Sequence, residues 1–561
     1  MKYSKRYLVF TLLIVILIGI KLNNWSDEYA VVTEFRGAHL KDEVFYPLIA
    51  KNINDNKLLT LSVDGNAVGI NGSEVYVSDN MTVMAELSFI RDLMDCSARL
   101  YNGKKIVLKR NGKEYDFSVG HDIGSLSAGK MELSHAPEYK DNKCYMPLPD
   151  LCNEFGYGYN FNRQSYTLNL TKTGATDSYL PSRFDLRNEG RISSIKDQGN
   201  QSTCWAYAAL GALESSSMPE ETLDYSAEHL IFNNTYSRSA EAGGDYRVAA
   251  SYFLSWNGPA SEDGDQTMKH IQECRFYTED EVDDIKWAVY KYGGVSTSLY
   301  VDVTEDSLKG SSYYNRGTNS YYYDGSNVPN HDVIIIGWDD SYEASDFYNP
   351  PGGNGAFICQ NSWGTKFGEE GVFYVSYYDT NIGKSAVSYV KVEDTDNYDN
   401  IYQSDLCGQI GTMGFSKDTI YAANVFTAGS DETIEAAGFY AVGKNTHYRI
   451  AVVPNYNNPS DLYSAETMVS GTVPDKGYYT IRFRQGRDVL RDRKFAIVVE
   501  LQTPDAVRPL AIEYETDKTG GVADISDGEG YVSNNGIEWE RIEKEYEANV
   551  CLKAYTSGKV K

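Results

Sequence analysis

One cysteine does most to constrain this chain. Cys204 opens the stretch Cys-Trp-Ala-Tyr-Ala-Ala-Leu-Gly-Ala-Leu, with apolar residues at Trp205, Ala208, Ala209, Ala212 and Leu213. That is helical spacing. The thiol therefore sits at or within a turn of a helix N-terminus. Free N–H groups and the helix dipole there favour an anion and lower a thiol pKa. A thiol near its free pKa is only a few per cent ionised at neutral pH, so such lowering makes a nucleophile. The other Cys, at 96, 144, 152, 274, 359, 407 and 551, form no CxxC pair. That excludes a zinc ribbon and a thioredoxin-like motif. Eight Cys in 561 residues make no disulfide scaffold.

A nucleophilic thiol needs a base. Downstream of Cys204 the chain has only His229, His270, His331 and His447. His331 opens His-Asp-Val-Ile-Ile-Ile-Gly-Trp, a buried-strand run that holds an imidazole on a rigid element. His229 and His270 read as lying on polar, solvated helical stretches, and His447 as lying in a turn. The base in turn needs an orienter. Asn361 follows the short apolar strand Ala356 to Cys359, and its amide can hold the imidazole tautomer without adding charge. Gln198 can place an amide N–H beside the Cys204 backbone N–H, which makes two donors for an oxyanion.

These elements together resemble the papain family of cysteine proteases. The resemblance rests on Leu180-Pro-Ser-Arg-Phe-Asp-Leu-Arg, Lys196-Asp-Gln198-Gly, Cys204-Trp, Asn330-His331 and Asn361-Ser-Trp363-Gly, which occur in the family's order. It covers residues 180–392. It implies an α+β catalytic domain with a helical lobe and a β lobe. It implies Cys204 as nucleophile, His331 as base and acid, Asn361 as orienter and Gln198 as oxyanion-hole amide. Trp363 then covers the His–Asn pair, and Gly243-Gly244 is the wall that pairs with the substrate backbone. Asp332 borders the pocket for the second residue before the scissile bond and is expected to favour a basic or polar side chain there. No metal or cofactor is implied. Two departures stand out. Gln201-Ser202-Thr203 replaces the family's Cys-Gly-Ser/Ala, so the usual neighbouring disulfide cannot form at 201. The helical pro-segment pattern of cathepsin zymogens is absent upstream. The Pro/Gly/Asp-rich stretch from Asp339 to Gly355 reads as a surface loop. The Tyr-rich run Ser311 to Tyr323 reads either as a flank of the cleft or as another surface loop.

The catalytic segment sits in a longer, multidomain chain. Residues 1–26 carry Lys2, Lys5 and Arg6 ahead of an apolar run from Tyr7 to Ile20. That is the pattern of a signal peptide or signal anchor, and it predicts an extracellular protein, secreted or held on the outer face of the cytoplasmic membrane. Residues 27–172 read as a small α+β module of two helix-plus-hairpin repeats. It resembles the copper amine oxidase N-terminal-like module of exported bacterial proteins, but His39, His121 and His135 lack ligand spacing, so no copper is expected. Residues 398–561 read as a β-sandwich, with strands at Ile434–Val442, Tyr448–Val453, Tyr478–Arg484, Lys494–Leu501, Leu510–Glu515 and Asn549–Tyr555. Asn535-Gly536 signals a two-residue hairpin turn. This segment resembles the lectin-like domain that follows bacterial papain-type domains, which implies a cell-surface glycan as partner.

Charge narrows the partners. The formal net charge is −27, which excludes a nucleic-acid binder. Of this, −17 falls on residues 181–390. Such a segment attracts cationic peptides at low salt and is expected to push His331 upward. Three functional classes remain: an exported endopeptidase cutting a protein or peptide, a peptide acyl-transferase using the same residues, and a catalytically weak surface-binding protein.

Overall fold

The computed structural model describes residues 49–51, 58–63, 66–68, 74–78, 81–126, 129–162, 166–172, 180–236, 240–262, 264–278, 281–302, 311–516, 523–526 and 529–559. The targeting segment expected over residues 1–26 lies outside them. No described helix is long and apolar enough to cross a membrane.

The site is framed by nine elements. In chain order they are α1 (Cys204–Ser217), α2 (Tyr246–Leu254), β1 (Lys269–Tyr277), α3 (Val282–Lys291), β2 (Val295–Leu299), β3 (His331–Asp339), β4 (Ala356–Gln360), β5 (Ala386–Asp394) and β6 (Gly477–Val489). All nine residues of β3 are buried, as the near-continuous apolar run of an interior strand requires. Helix α1 is apolar nearly all round, and ten of its fourteen residues are buried. A helix of that kind belongs inside a core. It packs on β3, β5 and β2.

Those strands belong to one sheet of thirteen. From β4 the order runs β3, β2, β5, β1, and the sheet then continues through β6 into the C-terminal segment. The crossing is the antiparallel pairing of β1 with β6, with Glu273 opposite Tyr479 and Cys274 opposite Tyr478. Arg275 adds an ion pair to Asp475 at 2.5 Å. The 180–392 and 398–561 segments therefore share a backbone hydrogen-bond ladder. Beyond β6 the sheet runs on through Glu432–Ala441 and Leu552–Gly558. These strands pack against a six-stranded antiparallel sheet centred on Lys494–Gln502 and Thr419–Thr427, with Ile434, Phe439, Ile497 and Leu552 in the core between. Five of the six expected strands are present within a few residues, whereas Asn549–Tyr555 is split at Cys551 into Ala548–Val550 and Leu552–Gly558, which lie in different sheets. Strands Thr419–Thr427, Glu466–Val473, Gly530–Ser533 and Glu540–Arg541 complete the six-stranded sheet. The Asn535-Gly536 turn differs from expectation. Tyr531 pairs with Arg541, so the loop is longer than two residues. Asn535 Oδ1 instead accepts from the N–H groups of Ile537 and Glu538 at 2.9 Å. The side chain makes the turn that the backbone was expected to make.

The N-terminal segment shows one order twice. Strand Val83–Glu86, helix Leu87–Leu93 and hairpin Ser97–Arg110 are matched by strand Lys143–Pro147, helix Leu148–Glu154 and hairpin Tyr157–Lys172. This unit docks at the end of α3 and just past the end of α1, where the Leu100 N–H donates to Glu220 Oε1 at 3.1 Å. Arg99 Nη2 donates to the Lys291 carbonyl at the end of α3 at 2.5 Å. Within the catalytic segment itself, Arg191 Nε donates to the Met218 carbonyl at the end of α1 at 3.2 Å. Both guanidiniums are buried. Helix C-termini carry partial negative charge, so two helix ends offset two buried cations.

The sheet continuity is testable at Gly477. A Cβ there would lie 2.1 Å from the Cys274 carbonyl oxygen. Gly477→Val should cost about 2 kcal/mol. It should also split the single calorimetric transition expected of residues 180–561 into two. A single unshifted endotherm in the variant would show that the β1–β6 seam carries no stability.

Candidate active site

Cys204 is the first residue of α1. It is half-buried, whereas the other seven cysteines are buried, and all eight are free thiols. The backbone N–H groups of Asp332, Trp205 and Cys204 itself lie close enough to its sulfur to favour the thiolate. The start of β3 thus lies against the start of α1. Gly211 makes that approach close: a Cβ there would stand 2.4 Å from Ile334 Cδ1.

His331 is the first residue of β3 and Asn361 directly follows β4. Strand pairing places Ile334 opposite Gln360, which brings the two ends level. His331 Nε2 meets Asn361 Oδ1 at 2.8 Å, and Oδ1 also accepts from the Ser362 N–H at 2.8 Å. The bonded nitrogen is therefore Nε2–H, which leaves Nδ1 as the basic nitrogen. Trp363 stacks on His331 with centroids 4.5 Å apart. Its other edge packs against Phe367.

Gln198 is held from two sides. Its Oε1 accepts from Ser362 Oγ at 2.6 Å, and its Nε2 donates to the Gln201 carbonyl at 2.7 Å. The amide has a second N–H to offer. Ser362 thus ties Gln198 to Asn361. The sequence reading missed its role, although it lies inside the Asn361-Ser-Trp motif. Gly244 packs on the Trp205 ring, where a Cβ would sit 2.7 Å from Cδ2. Gly243 has φ +65° and faces the Ser202 carbonyl. Gly244 is required by its contact with the Trp205 ring, and Gly243 by its left-handed φ.

Asp332 lies opposite Ser298 of β2, whose hydroxyl favours its carboxylate. Its nearest charged neighbour is Asp245, the N-cap of α2, which pairs with Arg247 at 2.6 Å. Burial pushes the Asp332 carboxyl up to about 7, and Asp245 adds to this. Neither Ser298 nor Asp245 carries a local sequence signal for this contact.

Burial also dominates the two central groups. It pushes the Cys204 thiol up to about 12, with the Asp332 charge adding, against the three N–H groups that lower it. It pushes His331 down to about 4 against the bond to Asn361. The expected lowering of the thiol by the helix N-terminus and the expected upward push on His331 from the acidic domain are both outweighed by desolvation. Neither charge is favoured alone.

The remaining histidines differ from expectation. His270 lies on strand β1, 5% exposed, stacked on Trp256 at 3.7 Å and bonded through Nδ1 to Asn397 Oδ1 at 2.6 Å. It is not on a solvated helix. His447 lies on strand Thr446–Val453, not in a turn, and pairs with Thr472. His229 is helical but half-buried against the Tyr252 hydroxyl. The Tyr-rich run is no plain surface loop either: Tyr314, Tyr321 and Tyr323 enter the core. The stretch 339–355 is a largely exposed loop between β3 and β4.

Comparison with known proteins agrees with this arrangement. Residues 180–390 match the profile of papain family cysteine proteases, and residues 401–556 match that of the lectin-like domain. Cathepsin K of Gallus gallus is 30% identical over 213 residues, covering 35% of this chain and 58% of the relative. Cathepsin K of Mus musculus is 28% identical over 229 residues, covering 37% and 63%. The chain thus spans about three-fifths of the length of these relatives. Among solved structures, the clostridial cysteine protease Cwp84 after propeptide cleavage shares the fold, with a TM-score of 0.60 and 24% identity, covering 68% of this chain and all of that one. A second structure, of the protease and lectin-like domains of the same surface layer associated protein from Clostridium difficile, gives 0.59 and 23%, covering 68% and 90%. The chain carries a papain-family cysteine protease domain, residues 180–390, followed by a lectin-like domain, residues 401–556.

Proposed function

We propose that the chain is an exported cysteine endopeptidase. The observation that carries this is the His331–Asn361 bond under Trp363, set against the Cys204 end of α1. The thiol proton passes to His331 Nδ1 as the sulfur attacks a peptide carbonyl. The oxyanion meets the Cys204 N–H and the Gln198 amide, which are fixed before reaction. His331 then gives its proton to the leaving amine, and a thioester remains on Cys204. Water, deprotonated by His331, hydrolyses it. Asn361 keeps Nε2–H bonded throughout, so Nδ1 always faces the reacting atoms.

The flanking segments fit an extracellular setting. We read these segments as residues 27–172 and 398–561; the repeated strand–helix–hairpin order supports the first and the lectin-like match over 401–556 supports the second. The first is read as the copper amine oxidase N-terminal-like module, acting here as a brace at the end of α3. The second is read as a glycan-binding domain, a role the lectin-like match suggests. The surface-layer association of the Clostridium difficile relative supports a location outside the cell, reached through the 1–26 segment.

Two outcomes test the catalytic roles. Iodoacetamide should label Cys204 of the intact chain selectively. Cys204→Ala should abolish that labelling, and His331→Ala should slow it by about a hundredfold or more. Labelling of the native thiol no faster than free cysteine would remove the proposed pair. Asp332 supplies the second test. Its carboxylate forms as pH rises through about 7. Preference for Arg over Leu at the second residue before the cleaved bond should therefore grow from pH 6 to pH 8 and vanish in Asp332→Ala. A preference independent of pH and of Asp332 would sink the assignment.

A further inference from the structure

Behind the catalytic pair, between α1 and β3, lies a cavity of about 270 Å³ whose wall on the catalytic side is Asp332, Asn361 and Ser362. Its floor is Glu214 of α1, 2% exposed, with one carboxylate oxygen accepting the Tyr225 N–H at 3.0 Å. Two further buried oxygens line it without a hydrogen-bond partner among the described residues: the Tyr225 hydroxyl and Gln360 Oε1. Gln360 Nε2 is engaged by Ser193 Oγ at 2.9 Å, so the side chain is fixed with its carbonyl oxygen free to accept. Glu228 and Glu262 also line the cavity. The one cation in its wall, Lys196, is already paired with Asp224. The remaining walls include Leu210 and Ala227, which are apolar. Unpaired buried acceptors are costly, and a carboxylate beside them selects a donor that is positively charged. Among the described residues no cluster has the ligands to hold a metal ion.

We propose that this cavity binds an organic cation, an ammonium or guanidinium group on a short aliphatic stem. The charged head is received by Glu214, the Tyr225 hydroxyl and the Gln360 carbonyl. The stem lies along Leu210 and Ala227. Binding strengthens with pH, because burial pushes Glu214 up to about 7. The charges that shift Glu214 are Lys196, which opposes its rise, and Asp224 and Glu262, which add to it; Asp197, Glu228 and Asp332 also line the cavity, and burial raises Asp332 to about 7 as well, so Glu214→Gln isolates the part of the pH effect that belongs to Glu214. The site shares a wall with the peptidase centre through Asp332, Asn361 and Ser362 and is tested with Cys204 alkylated, so that the binding measured does not depend on catalysis.

The probe is agmatine, titrated calorimetrically into the intact, alkylated chain at pH 6 and pH 8. Saturable binding is expected, about fivefold to tenfold tighter at pH 8. Glu214→Gln should weaken it about tenfold or more, and Ala227→Leu, which fills the cavity, should abolish it. Tetramethylammonium, a cation without N–H donors, should not compete. Absence of binding at millimolar agmatine would overturn the proposal. Equal competition by tetramethylammonium, or affinity unchanged in Ala227→Leu, would also overturn it, because both would point to loose attraction by surface carboxylates. If Glu214→Gln does not fold, the Ala227→Leu comparison decides alone.

Discussion

Everything at the catalytic centre depends on the contact between one buried helix and one buried strand. Helix α1 lies on β3 so closely that Gly211 has no room for a side chain beyond Ile334. The contact sets the first residue of the helix against the first residues of the strand. Both are element starts, where backbone groups have directions but few partners. A nucleophile at a helix start faces free N–H groups. A base at a strand start is anchored on one side and open on the other. The geometry of Cys204 and His331 is thus a by-product of packing two apolar elements, and the neighbouring β3–β4 pairing supplies Asn361.

The electrostatics of this centre are governed by desolvation more than by the charge of the domain. The domain is strongly acidic, yet its carboxylates do not raise His331, because the ring is buried and shielded by Trp363. Asp332 shows the same rule from the other side, since its carboxyl is held near neutrality beside the thiol. A net charge spread over a surface acts on approaching ligands at a distance. Inside the site, the local balance of burial and single hydrogen bonds decides.

Legibility in the sequence followed the range of the interactions. Cys204 at a helix start and His331 at a strand start were readable because both rest on local periodicity. Asn361 and Gln198 were readable as chemistry next to those elements. His270 and His447 were misread because a polar segment becomes a strand only through its partners, and those partners lie far along the chain. The β1–β6 seam joins residues about two hundred positions apart and left no trace in composition or spacing. Ser298, Asp245 and Ser362 act through tertiary contacts with residues that had been singled out. The turn at Asn535 shows a subtler limit, since the right residue was chosen but its side chain, not its backbone, closes the turn.

The distribution of the eight thiols has a consequence for life in an oxidising medium. Seven are sealed in cores, and burial holds their protons in place. Oxidants attack thiolates that they can reach. Cys204 is the one thiol that solvent can approach, so oxidative damage to this protein falls on its chemistry before it falls on its fold. A molecule of this kind would lose its activity first and keep its shape, and with it whatever the C-terminal domain holds on to.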